Sequence, residues 1–160
     1  MLKILSRPEL TIIRDLAHAI WPLVYSKMIS REQMDYMLEW MYHPDVLASK
    51  FDKGDSFYIM ERAGMNVAYL HLEPAGEFAV KVQKLYVHPD HHGQGIGREL
   101  MLFAVNFARE QGRSLLELQV NRTNPAVAFY RKLGFEIVDE QDFDIGNGYF
   151  MNDYVMQLEV

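Results

Sequence analysis

The chain has 160 residues, of which 49% are hydrophobic and 24% charged, and its formal net charge is −6. This composition is that of an ordinary globular protein, which excludes fibrous and disordered classes. The negative balance opposes nucleic acid as a partner, because duplex binding depends on Lys and Arg neutralising phosphates. We therefore predict a single domain over residues 1–160.

Two absences narrow the class further. No apolar run reaches the roughly 20 residues that a membrane span needs, and the N-terminal apolar stretch breaks off at Ser6-Arg7-Pro8. A cytoplasmic protein is the expectation. The chain has no cysteine, which removes disulfides, thiolate metal ligands and cysteine nucleophiles.

The first fifty residues have a helical pattern. Residues 9–21 place apolar side chains at helical spacing, and we expect Pro22 to end that helix. A second helix is predicted to begin near Ser30, with Gln33 completing a capping box. Its apolar stripe predicts a core contact, although flexible methionines also suit a pocket wall. The stripe comprises Met34, Met37, Leu38 and Met41.

From residue 51 the period changes. Segments 56–61, 66–73 and 78–88 are rich in β-branched and aromatic residues and are separated by turns, which predicts three strands joined as hairpins. A helix over 97–111, a strand over 114–120 and a short helix opened by Asn124 and Pro125 follow. Strands over 135–139 and 149–159 close an α+β fold with a mixed sheet.

A glycine-rich loop, His92-Gly93-Gln94-Gly95-Ile96-Gly97-Arg98, joins the third of these strands to the next helix. Glycines permit positive φ and close approach of a ligand, and the first N–H groups of a helix lie unpaired at its positive end. Such a loop suits an anion. The spacing matches neither the Walker loop nor the dinucleotide fingerprint, and a tight turn also explains the glycines.

Four segments in order resemble the successive motifs of GNAT acetyltransferases: Leu85-Tyr86-Val87-His88-Pro89, the glycine-rich loop, Asn124, and residues 129–135. The resemblance runs from about residue 56 to the end of the chain. It implies the GNAT fold with splayed central strands, acetyl-coenzyme A as cosubstrate and no metal. The family motif begins with Arg or Gln where this chain has His92, a difference we expect to be tolerated because the following contacts use backbone N–H groups.

The resemblance also assigns the donor site. It implies that the loop from His92 to Arg98 holds the pyrophosphate. It implies that Leu85, Tyr86 and Val87 bind the pantetheine arm and the acetyl carbonyl, with the Val87 N–H as oxyanion donor.

Further along the chain, Asn124, or less directly Asn121, is implied to contact the pantetheine, although helix capping explains Asn124 equally. Tyr130 is implied to protonate the departing thiolate. The basic residues implied to meet the phosphates are Arg98, Arg131 and Lys132.

The acceptor amine must lose a proton before it attacks, and no spacing marks out the base. The candidates are His71, Glu73 and Asp153. A metal reading of His88, Asp90, His91 and His92 is the alternative for the loop, since imidazoles and carboxylates bind zinc. That group lacks the helical spacing of a zinc protease and is more simply a solvated loop.

Segments 25–38 and 144–156 resemble PaiA-type polyamine acetyltransferases, which implies spermidine or spermine as acceptor and a homodimer. Acidic and aromatic residues there suit a polyammonium chain, although a solvated acidic surface explains them equally. These residues are Asp35, Glu39, Asp142, Asp144, Asp153, Tyr36, Tyr149 and Tyr154. The alternatives are acetylation of peptide or protein N-termini and a non-catalytic coenzyme-A-binding regulator. A DNA-binding repressor is opposed by the acidic balance.

Overall fold

The computed structural model describes residues 1–160, which form seven strands and five helices. The strands are β1 (Leu2–Ile4), β2 (Ser56–Arg62), β3 (Met65–Ala75), β4 (Ala79–Val87), β5 (Leu115–Asn121), β6 (Glu136–Gly146) and β7 (Tyr149–Glu159). The helices are α1 (Thr11–Tyr25), α2 (Arg31–Tyr42), α3 (Pro44–Asp52), α4 (Ile96–Glu110) and α5 (Ala126–Lys132).

All seven strands join one mixed sheet in the order β1-β2-β3-β4-β5-β7-β6. Strands β1 to β4 form an antiparallel meander, and β4 and β5 are parallel, connected through α4. The pair β6 and β7 is antiparallel, and β7 lies beside β5. The predicted α+β fold with a mixed sheet is confirmed.

Apolar side chains form two cores, one on each face of the sheet. Leu100 and Ala104 of α4 pack over Val80 and Val82 of β4 on one face. On the other face, helices α1 and α2 cover Phe57 and neighbouring strand residues. Because alternate strand residues point to opposite faces, the runs of consecutive buried residues in β2 and β3 show that these two strands are covered on both sides.

A β-bulge interrupts β4 at Gln83. His71 pairs with Lys84 but Leu72 pairs with Val82, so one extra residue stands in β4. Before the bulge Val82 belongs to the core under α4, and after it Leu85 belongs to that core. The bulge therefore turns Lys84 to the opposite face, toward α1, α2 and α3.

The parallel ladder between β4 and β5 is short. It pairs residues 79–82 with residues 115–118 and stops there. Beyond that point β4 continues to Val87 on β3 alone, and β5 continues to Asn121 on β7 alone. The two central strands diverge, and a gap opens between their carboxyl ends.

Several predicted boundaries are wrong. Helix α1 runs through Pro22 to Tyr25, because buried Ile20 and Trp21 hold this turn in the core despite the lost hydrogen bond. The capping box is half formed: Ser30 Oγ accepts the Gln33 N–H at 3.1 Å, but the Gln33 side chain donates to the Phe150 carbonyl instead.

Three further differences concern element bounds. Strand β1 was not predicted, β6 extends to Gly146 rather than residue 139, and α5 begins one residue after Pro125. None of the helices combines the length and apolar character that crossing a bilayer requires.

Candidate active site

The gap between β4 and β5 presents backbone donors from two residues. The His88 N–H donates to the Val67 carbonyl at 2.8 Å, and an antiparallel ladder alternates in the direction of its hydrogen-bonding groups. The Tyr86 N–H and C=O therefore face Tyr69 on β3, whereas those of Leu85 and Val87 face the gap. The prediction of a free Tyr86 backbone is wrong for this reason.

The glycine-rich loop lies at the mouth of the gap and leads into α4. Gly93 and Gly95 have φ values of 80° and 79°, in the left-handed region that favours glycine. Gly95 is the N-cap of α4, and no side chain caps this end. The first N–H groups of α4 are thus available to an anion at the positive end of the helix dipole.

His92 fixes this loop to the end of β4. Its Nε2 lies 2.8 Å from the Val87 carbonyl oxygen, although the residue is exposed. The side chain that departs from the family pattern thus makes a local contact that closes the loop. Gln94 contributes a second contact, with its Oε1 3.3 Å from His91 Nδ1.

Gly97 is required by packing rather than by its backbone angle. A Cβ atom at this position would lie 3.2 Å from Phe129 Cζ, so the absence of a side chain lets α4 and α5 approach closely. The basic residues near these two helix ends, Arg98, Arg131 and Lys132, are exposed and form no ion pair within the chain.

Asn121 and Asn124 both use their side-chain oxygens in local turns. Asn124 Oδ1 accepts the Ala126 N–H at 2.9 Å, which is the predicted cap of α5. Asn121 Oδ1 accepts from the N–H and hydroxyl of Thr123. The amide NH₂ group of Asn121 has no such partner, whereas the Asn124 side chain lies beside the Tyr25 hydroxyl.

Tyr130 lies on α5 and is 8% exposed. Its hydroxyl has no hydrogen-bond partner in the chain, yet no fully buried side-chain oxygen is left unsatisfied, so this hydroxyl keeps some accessible surface. Burial raises the pKa of Tyr130 well above its usual range. The phenol therefore keeps its proton at neutral pH.

Two further tyrosines, one on α1 and one on β4, are in contact on the helix-covered face of the sheet. The hydroxyls of Tyr25 and Tyr86 lie 2.7 Å apart, joining the end of α1 to β4. Burial raises the pKa of Tyr25 to about 12, and the charge of Asp153 adds to the rise. No sequence spacing indicated this pair, because residues 25 and 86 meet only through the fold.

A cavity of about 430 Å³ opens on the same face, beside the bulge. Its polar lining includes Lys81, Gln83, Lys84, Gln119 and Asp144. Its apolar lining comprises Trp40, Met41, Val46, Phe143, Ile145 and Met151. Of the apolar stripe on α2, Met41 therefore lines a pocket, as one of the two predictions allowed, whereas Met34, Met37 and Leu38 belong to the buried core.

Most acidic residues predicted to attract a polyammonium chain are paired with arginine. Asp35 lies 3.4 Å from Arg31, and Glu39 lies 3.3 Å from Arg14. Arg122 binds both Asp142 and Glu140. Among the predicted acidic residues, Asp144 lines the cavity.

Below the cavity, three ionisable side chains form a buried chain of contacts. Lys84 Nζ lies 3.0 Å from His71 Nδ1, and His71 Nε2 lies 2.6 Å from Asp55 Oδ2. His71 is 0%, Lys84 6% and Asp55 7% exposed. Burial lowers the pKa of Lys84 to about 7.

The three predicted base candidates differ in access. His71 has both ring nitrogens occupied and is sealed from the cavity, so direct contact with an acceptor is excluded. Glu73 binds Gln83 and lies 3.6 Å from Lys50. Asp153 is 3% exposed and faces Asn121 across β5 and β7, and burial raises its pKa to about 6.

The histidines of the loop do not converge on one point. His88 Nδ1 accepts the Asp90 N–H, His91 contacts Gln94, and His92 contacts Val87. No group of three or more His, Asp or Glu side chains in the chain is arranged to hold a metal ion.

Residues 53–137 match the acetyltransferase (GNAT) domain family, and the chain belongs to it. The streptothricin acetyltransferase of Streptomyces lavendulae is 47% identical over 55 residues, which cover 34% of this chain and 29% of that protein. An uncharacterised N-acetyltransferase of Mycobacterium tuberculosis is 36% identical over 98 residues, covering 61% and 62%.

The whole chain also has structural relatives. The PaiA N-acetyltransferase of Thermoplasma acidophilum, solved in complex with coenzyme A, superposes with a TM-score of 0.82 over 100% of this chain and 99% of that one, at 21% identity. This likeness confirms the GNAT fold. The chain spans less than two thirds of the length of the curated relatives described above.

Proposed function

We propose that this protein transfers the acetyl group of acetyl-coenzyme A to a primary amine of a small acceptor. The observation that carries the proposal is the gap between β4 and β5. The uncapped start of α4 lies at its mouth, and the N–H groups of Val87 and then Leu85 line it further in. An extended ligand with a phosphate end and an acyl end fits this sequence of donors.

The donor would lie with its pyrophosphate on the N–H groups of residues 93–98 and its arm in the gap. From there the arm meets Val87 first and Leu85 next, so the thioester at its far end lies nearer Leu85. The family resemblance implies that Val87 is the donor to the acetyl carbonyl, and the direction of the ladder makes the Leu85 N–H a second candidate for that role. The side-chain amides of Asn121, at the end of β5, and of Asn124, in the turn before α5, are further candidates to contact this arm.

Tyr130 supplies the proton for the leaving thiolate. Its hydroxyl is unpartnered and protonated, as a general acid requires. Acetyl-coenzyme A supplies an activated acyl group when bound, and the chain supplies orientation, backbone donors and this proton.

Thiol release from acetyl-coenzyme A across a panel of amines tests the proposal. Release that depends on an amine supports it, and calorimetry would show tight binding of the coenzyme. Tight coenzyme binding with no release from any amine would instead identify a coenzyme-A-binding regulator.

For the acceptor, polyamines are the first candidates. Support comes from the sequence resemblance of segments 25–38 and 144–156, and from Asp144 and Asp153 on this face of the sheet. A panel of spermidine, spermine and a peptide with a free N-terminus tests them. Turnover of the peptide but of neither polyamine would contradict polyamines as acceptors and support acetylation of peptide N-termini.

The cavity favours a second candidate, a monoamine with an apolar body. Six of its eleven lining residues are apolar, and Lys81 offsets the charge of Asp144, its one carboxylate, which disfavours a polycation. Phenethylamine beside spermidine in the same assay discriminates the two. A higher kcat/KM for phenethylamine would favour the monoamine.

A further inference from the structure

The acceptor side of the sheet contains ionisable groups that the donor site does not use. An amine at neutral pH is an ammonium ion and has no lone pair for attack, so the enzyme must remove a proton. Gln83 and Gln119, which line the cavity nearest the divergence of β4 and β5, cannot accept one. Lys84 borders the same cavity and is the residue directly before Leu85, whose N–H faces the thioester position.

From the cavity, a row of buried side chains runs from Lys84 through His71 to Asp55. Its Nζ meets His71 Nδ1 at 3.0 Å, and His71 Nε2 meets Asp55 Oδ2 at 2.6 Å. A carboxylate only accepts hydrogen bonds, so Nε2 carries the imidazole proton and Nδ1 is the acceptor toward Lys84. Phe57 stacks on the imidazole with ring centroids 4.1 Å apart, which holds the ring in this orientation.

We propose that Lys84, His71 and Asp55 form a hydrogen-bonded relay in which Lys84 deprotonates the ammonium group of the acceptor in the cavity. This proposal rests on the transferase function proposed above. Lys84 is the catalytic residue, because it faces the cavity, and His71 and Asp55 are positioning residues that act through it.

The protons balance as follows. Neutral Lys84 Nζ accepts one proton from the acceptor ammonium, while neutral His71 accepts a hydrogen bond from Nζ at Nδ1 and donates one to the Asp55 carboxylate from Nε2. The freed amine forms a C–N bond to the thioester carbonyl carbon as the C–S bond breaks. The second amine proton replaces the one that Tyr130 donates to the thiolate. Lys84 then releases its proton to solvent through the cavity, so each turnover yields amide, thiol and one proton.

The surroundings of Lys84 bring the pKa of its ammonium group close to neutral pH. Burial lowers its pKa to about 7, and the positive charge of Lys50 adds to this effect, whereas Asp55 opposes it. Burial also lowers the pKa of His71, so the imidazole is neutral between turnovers. The ionisable groups that face Lys84 from neighbouring elements are Lys50, Asp55, His71, Glu73, Lys81 and, across the cavity, Asp144, while Tyr42 presents its ring 5.1 Å from Nζ.

Titration of Lys84 in the full chain tests the relay without an acceptor. Proteins labelled with ¹³C-lysine report each ammonium group by NMR, and loss of one signal in Lys84→Arg assigns it. We expect Lys84 to titrate near neutral pH and to shift in His71→Gln. Titration above pH 9, as for an ordinary lysine, would overturn the relay.

Kinetics supply the second arm, with spermidine and phenethylamine as the acceptors. Lys84→Arg keeps a positive charge but cannot release a proton, so kcat/KM should fall about 100-fold at pH 7. It should recover at high pH, where the acceptor loses its proton unaided. Lys3→Arg, which changes an exposed lysine on β1, is the control, and coenzyme A binding checks that each variant is folded.

The two proposals fail in different ways. Turnover that is unchanged in Lys84→Arg, with the wild-type pH profile, overturns the relay and leaves the transferase intact. Absence of turnover with every amine overturns both.

Discussion

His92 Nε2 lies 2.8 Å from the carbonyl oxygen of Val87, so the side chain that departs from the family motif connects the glycine-rich loop to the end of β4. The contact joins the two parts of the proposed donor site. Its removal should therefore affect donor binding more than the chemistry that follows.

The first prediction concerns this contact. His92→Ala loses one hydrogen bond of about 1 kcal/mol, and coenzyme A affinity should fall roughly 5-fold. His92→Gln retains a donor and should restore most of the affinity. Isothermal titration calorimetry measures both, and equal affinities for all three proteins would remove His92 from the donor site.

Gly97 gives a prediction about helix packing. Gly97→Ala places a methyl group 3.2 Å from Phe129 Cζ, so α4 and α5 must separate slightly. We expect a loss of about 1 kcal/mol in unfolding free energy and weaker coenzyme binding. Phe129→Leu in the same chain should recover part of the loss. A double-mutant cycle by urea unfolding measures the coupling, and strict additivity would contradict the contact.

Tyr130→Phe tests the proton donor. Without the hydroxyl, kcat should fall about 100-fold, while coenzyme A affinity changes little because the ring still packs. Since burial raises the pKa of Tyr130, activity should not decline at alkaline pH through loss of this proton below about pH 10. Tyr58→Phe, a buried tyrosine in the core under α4, is the matched control. Unchanged kcat in Tyr130→Phe would exclude the acid role.

Asp153 gives a prediction about stability and pH. Burial raises its folded-state pKa to about 6, whereas the unfolded group titrates near its ordinary value of 3.8. Between these values the folded protein binds the extra proton, so this carboxyl lowers stability as pH rises from 4 to 6. Above pH 6 the loss is complete.

Asp153→Asn removes that loss. The variant should be more stable than wild type at pH 7.5, by at most about 3 kcal/mol, and the difference should shrink toward pH 4. Urea unfolding at the two pH values measures this, with exposed Asp15→Asn as the control. A variant less stable at pH 7.5 would show that the carboxylate has a stabilising partner.

The sequence predicted the elements around the proposed donor site, because those elements depend on local patterns. Strand β4, the glycine-rich loop and α4 are contiguous, and the Asn124 cap of α5 needs a partner only two residues away. Tyr130 was found by its place in a motif. The predicted homodimer, cytoplasmic location and single domain are tested neither by the fold nor by the site and stay predictions.

The acceptor side could not be predicted in the same way. His71 lies 16 residues from Asp55 and 13 from Lys84, and the three meet only when the bulge sets the register. A signal for the bulge was present, since apolar residues alternate at Val80 and Val82 and then resume out of phase at Leu85. Lys84, a lysine between the apolar residues of β4, lies directly after the extra residue that shifts the alternation.

The early end of the ladder between β4 and β5 also affects how the sheet itself behaves. Until a ligand enters, the gap-facing amides of Leu85 and Val87 have no neighbouring strand and exchange their hydrogens with water readily. A pantetheine arm lying between the strands would take the place of the missing strand neighbour. Donor binding would then stiffen the middle of the sheet, and the rigidity of the acceptor cavity would depend on whether the donor is in place.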